Sequence, residues 1–128
     1  TEIESIGDSC YNLARTINHK YRGNEDFTEK QYSHIHQMFQ LTDDALNQMV
    51  SLVEDEGHQV DVNKSFNLEN EINNYRSQLK NQNVLDVNNK EYDYQMGVHY
   101  MDLIGECEKL GDYIVNVVEA RTDMKEKK

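Results

Sequence analysis

Two pairs of carboxylates with the same spacing lie near the two ends of the chain. Glu4 and Asp8 flank one short motif, and Glu108 and Asp112 flank a second. Because residues four positions apart share one face of an α-helix, each pair would present two carboxylates side by side. Hard cations such as Mg²⁺, Ca²⁺ or Mn²⁺ favour carboxylate oxygens, and iron also accepts them, so one hypothesis is a divalent-cation or iron site at these four residues.

The two motifs are alike beyond their acids. Gly7 and Gly111 each precede the aspartate, and Asn12 and Asn116 each follow it at the same distance. Such repetition indicates two equivalent helices from a duplicated unit. A glycine inside a helix costs about 1 kcal/mol relative to alanine, and there are two explanations for bearing that cost twice. Either a cation lies between the acids, or a neighbouring helix approaches closely at the glycine and offers partners to the acids.

Four amphipathic helices are expected to position these pairs. Apolar residues recur with alternating spacings of three and four, and the chain contains no proline to interrupt a helix. The first predicted helix runs from about 2 to 21, and the second runs from Thr28 to between Glu54 and Gly57. Thr28 and Gln31 have the spacing of a capping box at the start of the second. The third runs from about 60 to 80, and the fourth from an N-cap at Asn88 to about 125. Residues 81–89 are predicted to form a turn. We expect one all-α domain over residues 1–128, an antiparallel up-down bundle of four helices.

The apolar seams predict the core. In the second helix the seam comprises Tyr32, Ile35, Phe39, Thr42, Leu46, Met49 and Val53; in the third, Leu68, Ile72, Tyr75 and Leu79; in the fourth, Met96, Tyr100, Leu103, Cys107, Leu110, Ile114 and Val117. Cys10 and Cys107 occupy seam positions and are predicted to be small buried side chains. The same heptad frame places both carboxylate pairs off the seam, on the outside of the bundle.

Net charge and the absence of certain motifs argue against several classes of function. The chain has 128 residues and a net charge of −11, which disfavours binding to nucleic acid and to anionic lipid. No Ser/His/Asp or Cys/His arrangement and no Gly-rich phosphate loop is apparent, so we predict that the protein is not an enzyme. The five histidines lack the paired Glu-x-x-His motifs of a di-iron bundle.

With its two motifs, the chain resembles the PhoU family. That family is built from a duplicated three-helix unit, and the third helix of each unit carries a Glu-Arg-Ile-Gly-Asp-type motif. Glu4 to Asp8 and Glu108 to Asp112 fit the two copies. The resemblance implies that the chain holds the last helix of one unit and all of the next, an incomplete duplication excised from a longer protein. It also implies metal binding at these acids, with partner acids on the preceding helix near residues 63–67, where the chain has asparagines.

The resemblance implies one of two contexts. The first is a regulatory domain of a sodium/phosphate cotransporter, on the cytoplasmic side of the inner membrane. It would act by binding and gating, with the membrane transporter domain of the same chain and a second copy as partners. The alternatives are a stand-alone PhoU-type regulator of phosphate uptake and signalling, or a metal-binding helical bundle protein.

Overall fold

The computed structural model describes residues 27–54 and 62–126, together with the isolated positions 8 and 10, and side chains as far as residue 121. The described ranges contain three helices: α1 (Glu29–Glu54), α2 (Val62–Asn88) and α3 (Tyr94–Glu126). Each helix packs against the other two, and the described ranges contain no strand. The predicted all-α class is confirmed. The predicted first helix lies outside the described residues except at Asp8 and Cys10, which are helical and exposed.

The start of α1 is fixed by the predicted capping box. The backbone N–H of Gln31 donates to Oγ1 of Thr28 at 3.1 Å, and the N–H of Thr28 donates to Oε1 of Gln31 at 2.9 Å. Two backbone donors that the helix cannot satisfy internally are thereby paired. The capping box accounts for the start of α1 at Glu29.

The core lies along the common axis of the three helices, and α3 contributes most of it. The predicted α3 seam is buried at Met96, Tyr100, Leu103, Cys107, Leu110 and Ile114, with Ile104 and Val118 in addition. Burial raises the pKa of the Cys107 thiol to about 12. Cys107 is therefore the inert core cysteine that its seam position predicts.

The predicted seam of α1 is wrong in part. Tyr32 and Val53 are about half exposed, whereas Met38 and Ala45 are buried. The buried stripe is displaced because α1 packs against α2 and α3 together, so its centre faces the space between them. The prediction for Cys10 is also wrong, since Cys10 is exposed and no described helix covers it.

The turn predicted at residues 81–89 is the largest error, because α2 continues to Asn88 and the turn spans residues 89–93. The low helix propensity of the local asparagines is outweighed by tertiary contacts. Asn83 accepts a hydrogen bond from Tyr92 Oη at 2.6 Å and packs against Gly97. Each of these contacts holds α2 helical beyond its predicted end.

The α2–α3 turn combines a C-terminal and an N-terminal cap. Lys90 adopts a left-handed φ of 62°, its N–H donates to the carbonyl of Val87, and that of Glu91 donates to the carbonyl of Asp86. This pair of bonds is a Schellman motif. The N-cap of α3 is Asp93, whose Oδ1 accepts from the N–H of Met96 at 2.8 Å, so the prediction of Asn88 as the cap is wrong.

The three helices run up, down and up, so that α1 and α3 are parallel. His34 meets Tyr100 near one end, and Thr42 meets Cys107 about two helical turns further along both helices. Within the described ranges, no helix has a stretch long and apolar enough to cross a membrane.

Candidate functional site

The second carboxylate pair lies on α3 beside α2. Glu108 and Asp112 are one helical turn apart, as their spacing predicts, but their surroundings differ. Asp112 is exposed, whereas the Glu108 side chain is only 28% exposed because Arg76 of α2 covers it. The prediction that both acids face outward is therefore confirmed for Asp112, whereas Glu108 is only partly exposed.

Arg76 compensates one of the two acids. Its Nε lies 2.8 Å from Oε2 of Glu108, with both side chains partly exposed. The two groups are not aligned for a hydrogen bond, so the contact is an ion pair across the α2–α3 interface. A partly exposed pair of this kind contributes about 0–1 kcal/mol. Its main effect is to fix Glu108 and leave Asp112 without that cation.

Asp112 instead faces other acids. Its pKa is raised, first by partial desolvation, then by the charge of Glu108, and then by the charge of Glu69 and a hydrogen bond with it. The side chain of Glu69 also accepts a hydrogen bond from the Asn73 amide at 2.7 Å. We call Glu69, Asn73, Glu108 and Asp112 the acidic face.

The partner residues on α2 differ from those predicted. The resemblance placed them near residues 63–67, but the structure brings Glu69 towards Asp112, and the Asn73 amide donates to Glu69. The turn lies about six residues later than predicted, and the α2 residue beside Asp112 is displaced by a similar number. Glu69 and Asn73 are four residues apart, like the motif acids. With the turn placed correctly, this spacing would have identified them as the partner residues.

The acidic face has donors suited to a hard cation. Besides Glu108, which pairs with Arg76, it offers the carboxylates of Glu69 and Asp112 and the amide oxygen of Asn73. Mg²⁺ is often held by one or two carboxylates with water completing its shell. Among the residues that the structure describes, no three His, Cys, Asp or Glu side chains are grouped closely enough to hold a metal ion by themselves. Any cation there would depend on water or on Asn73 for its remaining ligands. Of the first pair, Asp8 is exposed and Glu4 lies outside the described residues.

The repeated glycine does not have to be glycine for packing reasons. A Cβ at Gly111 would lie 3.4 Å from Cδ1 of Ile72, close to ordinary contact. At Gly97 the same atom would lie only 2.9 Å from Cγ2 of Val87. The close approach of α2 and α3 therefore occurs at Gly97, outside the motif, and the motif glycine has little steric cause.

A groove lies beside the acidic face, on the side of the α2–α3 pair that α1 does not touch. Its volume is about 810 Å³, and only residues of α2 and α3 line it. Val84, Val87, Tyr94, Val98 and Met101 supply its apolar lining, and Arg76, Lys80, Asp102, Glu106 and Lys109 supply its charges. We call it the α2–α3 groove.

The opposite end of the molecule holds a buried polar cluster. Asp86 is only 7% exposed and is contacted by Nζ of Lys30 at 3.3 Å and by the Gln82 amide at 2.9 Å. Nearby, Nδ1 of His34 lies 3.0 Å from Oη of Tyr100. The pKa of His34 is lowered, chiefly by burial and then by the charge of Lys30, while Asp86 opposes the shift. A neutral imidazole can accept a hydrogen bond from the phenol, so we assign this cluster a structural role.

Comparison with known proteins gives one match. A sequence model described as the PhoU domain matches residues 35–120, which is well over half of the chain. The matched region includes most of the three helices and the whole acidic face. No curated protein and no solved structure matches the chain.

Proposed function

Because the chain belongs to the PhoU domain family, we propose that it is a regulatory domain that controls phosphate uptake from the cytoplasmic side of the inner membrane. The family is a regulatory, non-enzymatic one with a role in phosphate homeostasis. In the proposed arrangement the domain belongs to a sodium-dependent phosphate transporter. It binds the membrane transporter domain of the same chain and gates it.

The acidic face is the observation that carries this proposal. Asp112 lies among Glu69 and Glu108, while the nearest cation, Arg76, pairs with Glu108. Like charges held together on a surface store repulsion that a cationic partner can relieve. The surface is thus suited to binding a cation or a basic protein segment, and such binding would bias the contact with the transporter.

The experiment is phosphate uptake by cells that carry the full-length transporter. Replacing both Glu69 by Gln and Asp112 by Asn removes the charge of the acidic face with little change in volume. The expected result is transport that no longer responds to phosphate supply. The matched control is Asp102→Asn with Glu106→Gln, an acid pair with the same spacing on the groove side of α3. Regulation that survives the first change, or is lost equally in the control, would contradict the proposal.

The alternative context is a stand-alone PhoU-type regulator of phosphate uptake and signalling. The two contexts differ in the gene, since the transporter requires membrane-spanning segments in the same reading frame upstream of Thr1. A reading frame with only further helices of the PhoU type before Thr1 would favour the stand-alone regulator. The proposed role of the acidic face is the same in both contexts.

A second candidate function is metal binding, favoured by the approach of Glu69 to Asp112. A divalent cation would relieve the repulsion among the carboxylates. Ligand present at 100 times its Kd stabilises the folded state by about 2.7 kcal/mol. Thermal unfolding with and without Mg²⁺, Mn²⁺ or Ca²⁺ tests this, and the expected rise in Tm should be lost in the Glu69→Gln/Asp112→Asn variant. An equal rise in the Asp102→Asn/Glu106→Gln control would mean that the ion acts on net charge alone.

A further inference from the structure

The two walls of the α2–α3 groove carry a regular pattern of side chains. On α2 every fourth residue from 76 to 88 lines the groove, and on α3 every fourth residue from 94 to 106 does so. Residues four apart share one face of a helix, so each wall is a single row. The α2 row comprises Arg76, Lys80, Val84 and Asn88, and the α3 row comprises Tyr94, Val98, Asp102 and Glu106.

The two rows lie level with each other, residue by residue. A Cβ at Gly97 would lie between Asn83 and Val87, and one at Gly111 would lie beside Ile72, which fixes the register of the two antiparallel helices. In this register four pairs of groove residues lie at the same height along the helix axes: Arg76 with Glu106, Lys80 with Asp102, Val84 with Val98, and Asn88 with Tyr94. Bases on one wall are thus level with acids on the other, and apolar residues with apolar residues.

The level charges do not pair across the groove within one chain. Arg76 contacts Glu108 instead, on the acidic face. Among the residues that the structure describes, neither Lys80 nor Asp102 forms an ion pair, and both side chains are exposed. A basic site and an acidic site therefore remain available to a partner at the same height on opposite walls.

The turn end of the groove exposes apolar surface in the same way. Val84, Tyr94 and Val98 are 53%, 76% and 39% exposed there. We propose that a second copy of this chain covers the groove, related by a two-fold axis that runs along the groove parallel to the helices. Such an axis lays the α2 row of each copy on the α3 row of the other at the same height. Lys80 then lies against Asp102 of the second copy. Val84 lies against Val98 in the same way.

The resulting contact is a bundle made of α2 and α3 from both copies, in which neighbouring helices are antiparallel. A two-fold axis across the middle of the groove would match the rows poorly. It would place Lys80 on Val84 of the second copy. It would likewise place Asp102 on Val98, and a charge buried against an apolar side chain without a partner is unfavourable. The pattern of the rows therefore selects the axis along the groove.

The size of the surface sets the expected strength. The stretch of α3 from Tyr94 to Lys109 extends about 22 Å and two adjacent helices are about 20 Å wide, so each copy contributes a face of about 400 Å². An interface of that size is typical of weak, transient association. Exposed ion pairs add little affinity, whereas like charges brought together oppose binding strongly. Neutralising Asp102 should therefore change association little, and reversing its charge should prevent it.

The test is sedimentation velocity of the chain and of two charge-reversal variants. The salt concentration is about 0.15 M, where the repulsion between chains of net charge −11 is screened beyond about 8 Å. From about 10 μM to about 1 mM protein, the unmodified chain should shift from monomer to dimer. Lys80→Glu and Asp102→Lys each place like charges together twice in a dimer, so each should raise Kd about tenfold or more.

Mixing the two variants gives the decisive result. In an equimolar mixture the introduced glutamate faces the introduced lysine, and at the symmetry-related contact the unmodified Lys80 faces the unmodified Asp102. The mixture should therefore dimerise like the unmodified chain although neither variant does so alone. Pairing within one chain cannot produce this recovery, because each chain carries only one of the two substitutions.

The matched controls are Lys64→Glu and Glu119→Lys, which make the same charge changes at exposed positions of α2 and α3 outside the groove. Each control should dimerise alone as the unmodified chain does. A chain that stays monomeric at about 1 mM, groove variants that dimerise normally, or a mixture that remains monomeric would each overturn the proposal. No residue of the acidic face lines the groove, so such a failure would not bear on the proposed function.

Discussion

The two ends of the α2–α3 pair differ in how their acidic side chains are compensated. At the turn end, Asp86 is 7% exposed, but Lys30 and Gln82 both contact its carboxylate. At the motif end, Asp112 is exposed, yet its neighbours are the acids Glu69 and Glu108, and its pKa is raised. The Asp86 carboxylate is already paired with a cation and an amide, whereas the Asp112 carboxylate lies beside other acids. A cationic ligand would therefore bind at Asp112 and not at Asp86.

The glycines follow the same division. At the turn end, Gly97 is required because Val87 and Asn83 occupy the space that a side chain would need. At the motif end, Gly111 contacts only Ile72, at a distance that a methyl group can accept. At the turn end, close packing therefore requires the glycine. At the motif end, packing requires neither Gly111 nor the clustered acids.

The largest change in stability is expected when the Asp86 carboxylate, which Lys30 and Gln82 contact, is removed. Asp86→Ala should lower the free energy of unfolding by about 2 kcal/mol, because a hydrogen bond to a buried charged group contributes about 1.5–3 kcal/mol. Urea unfolding measures this, with an unchanged m value. Asp44→Ala, an exposed acid on α1, is the control and should change stability by less than about 0.5 kcal/mol. Equal effects in the two variants would remove the contrast drawn here.

An intermediate effect is expected from the two glycines. Gly97→Ala should destabilise by about 1 kcal/mol, because overpacking typically costs 1–3 kcal/mol and the gain in helix propensity returns part of it. Gly111→Ala should instead be neutral or stabilise by up to about 1 kcal/mol. Thermal unfolding of both variants gives the sign directly. Destabilisation by Gly111→Ala would show that the motif glycine is needed for packing after all.

The smallest effect concerns the uncompensated acid. The raised pKa of Asp112 means that the folded chain holds this proton more tightly than the unfolded chain, whose value is near 3.8. The destabilisation is complete above the folded pKa and disappears as the pH falls to about 3.8. Asp112→Asn should therefore stabilise at neutral pH by a few tenths of a kcal/mol, as for other exposed like-charge pairs.

Urea unfolding at neutral pH and at about pH 4 checks the sign. The advantage of Asp112→Asn over the unmodified protein should shrink in acid. Asp102→Asn, on the same helix but away from Glu69, serves as the control and should show no such trend. A variant that is less stable than the unmodified protein at neutral pH would mean that Asp112 has a favourable partner.

The sequence predicted most of what depends on helical periodicity. The α3 seam, the capping box at Thr28 and the all-α class follow from spacing and residue type, and the structure confirms them. The position of the α2–α3 turn did not follow, because the helix extends through asparagines that are held by contacts with Tyr92 and Gly97. These hydrogen bonds join α2 to the turn and to α3. Helix propensity depends on local sequence alone and therefore does not predict them.

The site was predicted in part for the same reason. Glu108 and Asp112 were found from their spacing, but Glu69 became visible only when α2 and α3 were aligned by the actual turn. The metal-binding roles of Glu4, Asp8, Glu108 and Asp112 all remain predictions. Asp86 was missed because a buried acid carries no periodic signal of its own and is recognised only by its partners.

The pairing of His34 with Tyr100 has a consequence for acidification. Because the pKa of His34 is lowered, the unfolded chain takes up a proton near 6.5 before the folded chain does, and stability declines as the pH falls below that value. Asp112 acts in the opposite direction at lower pH. Mild acidification should therefore lower the free energy of unfolding, and this effect arises at the turn end of the bundle, where the His34 imidazole contacts Tyr100.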